Sequence, residues 1–145
     1  MPGEEHYRGL ERMYLMAPIN SIFQPKIKVS KERAEIEMEV KKDYFHGAGA
    51  VHGCVYFKML DDAAFFAANS IVHDCFVLTM SFTTYLTRPV MQGIMRSVGK
   101  VVAKSRNQII AESYVYDRRG KEVGRGSGVF VKGKMRLVEV PGYVE

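Results

Sequence analysis

The sequence predicts an α+β fold in which one antiparallel β-sheet wraps around a single long central helix. Three features predict it. Residues 55–68 contain neither Gly nor Pro, so they can form one continuous helix. Apolar side chains fall on every face of that helix, among them Val55, Tyr56, Met59, Leu60, Phe65 and Phe66. A helix apolar all round must be covered on all sides. Two strand-like runs precede it and four follow, joined by short turns, which is the pattern of an antiparallel sheet.

In chain order, residues 4–17 place Leu10, Met13, Tyr14 and Ala17 at helical spacing, and Pro18 ends the segment. Residues 23–29 read as a short extended run and 30–33 as a polar turn. Residues 34–40 alternate strictly between apolar and acidic, the mark of a strand with one dry face and one wet face. The central helix follows. Residues 76–86 are rich in β-branched and aromatic types, and Arg88-Pro89 stops that strand. Turns at Gln92-Gly93, Arg106-Asn107 and 117–120 divide the remainder into strands over 95–104, 108–116 and 121–131. In the last of these, Gly124, Gly126 and Gly128 share one face. The expectation is a bare surface that lets the backbone of the buried helix come close. The chain, 1–145, is expected to be one domain with a short N-terminal helix.

Hydrophobic residues at 47% and charged residues at 26% fit a globular protein rather than a disordered one. A net charge of +5 suits either a solubilising surface or a partner that carries phosphates. There is no block of like charges and no basic tail, so nucleic acid is not an expected partner. Cys54 and Cys75 bracket the helix, and about 20 residues at 1.5 Å rise hold them too far apart for a disulfide. Free thiols, and a charged N-terminus without an apolar signal core, point to a cytoplasmic protein. Lys58, Asp61 and Asp62 interrupt the apolar run, so no membrane span is expected.

Those three charges are where chemistry enters. A buried carboxylate costs several kcal/mol unless it is paired. Either Asp61 and Asp62 pair with Lys58 or with arginines, or one of them has a task. The preceding turn, HGAGAVHG, spaces its glycines wrongly for a dinucleotide fingerprint and lacks the Lys-Ser/Thr of a phosphate loop. His46, His52 and Asp61 do not have metal-ligand spacing, so no metal is expected. A nucleophilic pair of Cys54 with His52 is a further alternative. The favoured reading uses the helix end itself. The first N–H groups of a helix have no internal partner, and the dipole adds positive charge there. Gly53 lets a substrate carbonyl approach its N–H closely, which makes an oxyanion site. Asp61 lies about two turns further on, too far to serve that same end. A second copy packed antiparallel would bring its own Asp61 there, so the expected assembly is a homodimer with sites at the interface.

The segment V-H-G-C-x5-L-D-D-A-A, His52 to Ala64 with the preceding valine, resembles the H-G-G … D-x-A signature of the hotdog-fold thioesterases. Within them it is similar to the phenylacetate-pathway and 4-hydroxybenzoyl-CoA thioesterase-like group. Y-L-T-R-P-V, starting at Tyr85, is similar to the strand of that family that ends before a proline. The resemblance implies a hotdog fold, a dimer or a dimer of dimers, and hydrolysis of an acyl-CoA thioester. It implies no cofactor, coenzyme A entering as part of the substrate. The family's acid stands nine residues after the motif histidine, which selects Asp61 over Asp62, a choice that helical periodicity does not make. Asp61 would be the general base or the nucleophile, Gly53 the oxyanion donor, and His52 the residue that holds the turn. Thr79 or Ser81 would position water, with Thr79 favoured. Two positions depart from the pattern: Cys54 replaces a glycine, and His46 stands where the family has Asn, a place in the catalytic site it can fill because imidazole too can donate a hydrogen bond or position water. These departures motivate the alternative of a non-catalytic acyl-CoA-binding protein. Arg88, Arg106, Arg118 and Arg119 are candidates for the phosphates of coenzyme A.

Overall fold

The computed structural model describes residues 2–145. Its elements are α1 (Pro2–Met16), α2 (Asn20–Phe23), β1 (Lys26–Ser30), β2 (Arg33–Glu39), α3 (Gly53–Asn69), β3 (Cys75–Leu86), β4 (Ile94–Lys104), β5 (Ile109–Tyr116) and β6 (Glu122–Arg136). The strands form one sheet in the order β1-β2-β4-β5-β6-β3, antiparallel throughout. The chain leaves β2 near one edge and must reach β3 at the other. α3 makes that crossing and touches every strand on the way.

Binary patterning explains the strands. Ala34, Ile36 and Met38 of β2 turn inward and are buried, while the acidic residues between them stay wet. In β5 the inward set is Ile109, Ala111, Ser113 and Val115. β3 starts with the same alternation, Cys75 and Val77 pointing in. Between Thr79 and Ser81 its register against β6 slips by one residue. The bulge leaves Met80 exposed and moves the inward parity from Thr79 to Phe82.

α3 enters the sheet at a glycine, though not one in the last strand. A Cβ on Gly99 of β4 would overlap the backbone of Ala63 and Ala64, so helix and strand meet there backbone to backbone. Gly124, Gly126 and Gly128 do something different from the expectation. The Phe82 ring from β3 lies over Gly126 and Gly128, and Gly124 faces the Tyr85 carbonyl and the Val115 side chain. At Gly126 and Gly128 the bare face accommodates a neighbouring strand's aromatic ring, and at Gly124 the helix comes near only through the Tyr56 ring at 3.6 Å, not with its backbone.

Two boundaries also depart from the sequence reading. Phe23 belongs to α2, because the turn continues past Pro18 through Gln24 N–H donating to the Asn20 carbonyl at 2.9 Å. Gln24 then takes a left-handed conformation (φ 50°), and β1 begins only at Lys26. β6 continues beyond residue 131 to Arg136, which pairs with Cys75. Gly133 makes room for the Phe76 carbonyl there.

The two sheet edges are treated unequally. On the outer side of β1, the Val29 N–H donates to Glu11 Oε2 at 2.8 Å, and Arg8 donates to the Val29 carbonyl at 2.9 Å. α1 thus occupies that edge. β3, the other edge, is 12 residues long and exposes Leu78, Met80, Tyr85 and Leu86. α1 is tied down again by His6, whose Nε2 donates to the Asn69 carbonyl at 2.9 Å and whose Nδ1 therefore accepts from the Tyr143 hydroxyl at 2.6 Å. Asn69, fully buried, donates to the carbonyls of Val72 and Cys75 and accepts from Val77 N–H, locking the end of α3 to the start of β3.

Gly99→Ala should destabilise the fold by about 1–3 kcal/mol, the usual range for overpacking. Gly47→Ala, where a Cβ meets nothing within 4 Å, should stay within about 0.5 kcal/mol of wild type. Urea denaturation of the two variants checks the contrast.

Candidate functional site

α3 starts from a turn built by its own histidines. His52 is the N-cap, and its Nδ1 accepts from the Cys54 backbone N–H at 2.9 Å. That ring nitrogen is therefore an acceptor, its proton sits on Nε2, and it is not free to activate the Cys54 thiol. His46 does the same job one turn earlier, its Nδ1 accepting from the Ala48 N–H at 3.0 Å. The two rings lie 6.5 Å apart, centroid to centroid. The Val55 N–H donates to the His52 carbonyl at 3.0 Å. The Gly53 N–H has no such partner among the described residues and is the open donor of this end. A Cβ on Gly53 would lie 3.0 Å from Leu86 Cδ1, so this end of α3 faces the last residue of β3.

The acidic pair divides cleanly. Asp62 Oδ2 accepts from Lys58 Nζ at 2.7 Å and from the Tyr14 hydroxyl at 2.7 Å. Asp61 takes neither. Its Oδ1 accepts from Thr79 Oγ1 at 3.0 Å. Burial pushes the Asp61 carboxyl up to about 6, the Thr79 hydrogen bond pulls against that, the Asp62 charge adds to it, and Lys58 opposes it. Burial, with the Asp62 charge, pushes the Tyr14 hydroxyl well above its ordinary range, so it stays protonated as a donor. Of the two candidate strand hydroxyls, the bulge at Met80 leaves Thr79 turned toward the helix and Ser81 exposed.

Asp61 and Thr79 open onto a cavity of about 680 Å³ between α1, α3 and the first half of β3. Its wall is largely apolar, with Met13, Phe65, Phe66, Phe76, Leu78 and Pro141, and it also takes in Asn20, Lys58 and Asp62. The walls from α1 and from the C-terminal turn carry no sequence signal that would have assigned them to a site. Lys58 and Asp62 do carry one, their i,i+4 spacing on a helix.

The structure brings Thr79 to Asp61, and His46, His52 and Gly53 to one another. The two groups are about 12 Å apart along α3, eight residues at 1.5 Å each. Among the four arginines, Arg88 and Arg119 line one cleft of about 520 Å³ with Lys121 and Asp117. Arg118 instead lies against Gly93. Arg106 sits at the opposite end of β5 from the 117–120 turn, about 25 Å away at strand rise, and does not join them. Among the described residues no three His, Cys, Asp or Glu side chains converge on a metal position. No helix among them is long and apolar enough to cross a membrane.

An ionised, half-buried Asp61 works against the fold. Its folded value of about 6 exceeds the ~3.9 of an unfolded aspartate, so the native state holds the extra proton between those values. Wild-type stability should therefore fall as pH rises from about 4 to about 6 and level off above. Asp61→Asn should melt higher than wild type at pH 8 and lose that advantage at pH 4. Paired thermal melts at the two pH values check the sign.

Comparison with known proteins agrees with this architecture. A family model described as the thioesterase superfamily matches residues 48–123, more than half of the chain. The fold is similar to that of the E. coli PaaI protein from the phenylacetic acid degradation operon, 17% identical, with a TM-score of 0.84 over 94% of this chain and 99% of that one. It is similar to a putative esterase from Mycobacterium tuberculosis, 20% identical, with a TM-score of 0.77 over 83% and 99% of the two chains. A thioesterase from Haemophilus influenzae is 15% identical, with a TM-score of 0.77 over 88% and 90%. No curated protein matches the sequence significantly. The sheet wrapped around α3 is the hotdog fold, and the chain belongs to the thioesterase superfamily.

Proposed function

We propose that this protein is an acyl-CoA thioesterase whose two sites lie across the interface of a homodimer. The observation that carries the proposal is the division of the acidic pair. Asp62 takes the lysine, and Asp61 is left facing an apolar cavity with one hydroxyl for a partner and a proton affinity raised toward neutrality. A carboxylate in that state suits a general base at physiological pH.

In this reading the acyl group enters the cavity of about 680 Å³. Thr79 fixes one carboxylate oxygen of Asp61, and the other takes a proton from water as the water attacks the thioester carbonyl. Direct attack by the carboxylate, through a mixed anhydride, uses the same placement. The oxyanion that forms is stabilised by the Gly53 N–H and the positive end of α3. The thiolate of coenzyme A then leaves. Superfamily membership supports this class of hydrolysis.

The dimer completes the site. One sheet edge is occupied by α1, and the other, β3, offers a long, partly apolar strand for a second copy. Asp61 lies level with Thr79 of β3, and Gly53 lies level with Leu86. A two-fold axis midway between those levels, near Phe82 and Thr83, pairs Thr79 of one copy with Leu86 of the other. The same axis sets Asp61 of one copy beside Gly53 of the other. Arg88 and Arg119 are at the Gly53 end, since the Tyr56 hydroxyl of α3 donates to the Arg88 carbonyl at 2.7 Å. They suit the phosphates of coenzyme A better than Arg106 or Arg118.

A panel of short, long and aromatic acyl-CoAs should release free thiol with the purified protein, and a folded dimer that hydrolyses none of them removes the proposal. Tight acyl-CoA binding without turnover would point instead to a non-catalytic binding protein. Asp61→Asn should lower kcat by about 10²-fold or more. Gly53→Pro deletes the oxyanion donor at a position where proline is tolerated. His52, at φ −62° and ψ 144°, already has the backbone that precedes proline. The loss should be about 10²–10³-fold in kcat. Co-expression of the two inactive chains should recover about a quarter of wild-type activity, since each mixed dimer rebuilds one of two sites. Sedimentation of the wild type reads the assembly directly.

A further inference from the structure

We propose that the N-terminal segment is a positioning device for the reaction, in which Tyr14 and Phe23 hold the Lys58 ammonium on Asp62 and keep it off Asp61. The inference rests on the reading of Asp61 as the reacting carboxylate.

A helix leaves the choice open. Lys58 stands three residues before Asp61 and four before Asp62, and both spacings bring a lysine within reach of a carboxylate. In the structure the ammonium goes to Asp62 alone. Three contacts from outside α3 impose that outcome. The Tyr14 hydroxyl donates to the same Asp62 oxygen that Lys58 uses, which fixes the orientation of that carboxylate. The Tyr14 ring lies 5.3 Å from the ammonium and the Phe23 ring 5.2 Å, so two aromatic faces hold the cation over Asp62. The Lys58 side chain is 12% exposed and that of Asp62 is 20%, so little water competes. Tyr14 is itself seated edge-on against Phe66 at 4.9 Å, anchoring α1 one turn further along α3.

The charged and titratable groups that face this site are few. From α3 they are Lys58, Asp61 and Asp62, from α1 Tyr14, and from β3 only the neutral Thr79 hydroxyl. Among the described residues Asp61 is the only other carboxylate lining the cavity, and the Asn20 amide oxygen is the one unpartnered neutral side-chain acceptor that could compete with it for the released ammonium. A lysine moved to Asp61 would form an ion pair there, weaken its basicity and occupy the oxygen that water needs. Tyr14 and Phe23 act through Lys58, which makes them positioning residues.

The test reads Asp61 directly. Its carboxyl is titrated by 13C NMR, with kcat and KM against pH, in wild type, Tyr14→Phe, Phe23→Leu, Lys58→Met and the Tyr14→Phe/Lys58→Met pair. Tyr14→Phe should lower the Asp61 midpoint by about half a unit or more. The acid limb of kcat should move with it, and the plateau should fall several-fold while KM stays within about twofold. Phe23→Leu should shift the midpoint in the same direction. In the Lys58→Met background, Tyr14→Phe should no longer lower it. An unmoved midpoint in folded Tyr14→Phe and Phe23→Leu overturns the proposal. So does an equal drop with and without the lysine, because the tyrosine then acts by another route. Asp61→Asn with full activity would instead remove the assigned role of Asp61, while the NMR titration still decides where the lysine goes.

Discussion

At Gly99 the backbone of β4 meets the backbone of α3 with no side chain between them. On the helix side the contact is made by a face of small residues, Ala63, Ala64, Ala67 and Ala68, all buried. That approach sets both the depth and the rotation of α3. At about 100° per residue, a helix seated on Ala63 and Ala64 points Lys58 and Asp62 nearly away from the sheet and Asp61 to the flank. α1 covers the outward side with Leu10, Met13 and Tyr14. β3 borders the flank with Thr79. The two acids are adjacent in sequence but answer to different neighbours, and a glycine that touches neither of them is the reason.

The electrostatics follow from that rotation. Asp62 receives two donors on one oxygen, an ammonium and a hydroxyl, and its charge is compensated where it is buried. Asp61 receives one neutral hydroxyl and stands beside a second negative charge. A fold selected only for stability would have placed the lysine between them or replaced Asp61 by an uncharged residue. The arrangement instead concentrates an unfavourable, half-dry carboxylate at the wall of a cavity. Such strain is the cost that the role proposed for Asp61 would entail, at the expense of stability.

Much of this was legible in the residues. The all-round apolar helix required wrapping, and the alternation of 34–40 fixed which side of β2 is dry. The motif starting at His52 singled out Gly53 and Asp61, the two residues on which the proposed site rests. What stayed hidden depended on contacts distant in sequence. Three glycines at period two looked like a seat for the helix, yet Phe82 fills two of them, because the bulge at Met80 turns that ring inward. The glycine that does seat the helix stands alone in β4 without any pattern around it. Arg106 resembled the other arginines by residue type, and only the strand length separates it from the cleft of Arg88 and Arg119. Tyr14 fell on the apolar stripe of a surface helix, where nothing in the spacing marks its hydroxyl as a partner of Asp62.

The span matched by the family model holds Gly53, Asp61 and Thr79, while much of the cavity wall comes from outside it. Met13, Tyr14, Met16 and Ile19 come from α1 and the turn after it, Asn20 from the start of α2, and Val140 and Pro141 from the C-terminal turn. The residues to which we assign the reaction and the walls that an acyl chain would meet are therefore carried on separate stretches of chain. Specific links hold α1 to the body, with Glu11 and Arg8 on the backbone of Val29, His6 on the Asn69 carbonyl and Tyr14 on Asp62, while His6 and Arg12 tie it to the C-terminal turn at Tyr143 and Gly142. A side chain changed in α1 or the C-terminal turn can reshape the cavity without touching the seat of α3 at Gly99. Tyr14 is the exception, because it both lines the cavity and bonds the carboxylate next to Asp61. Through that residue the shape of the pocket and the charge state of the acid are physically coupled.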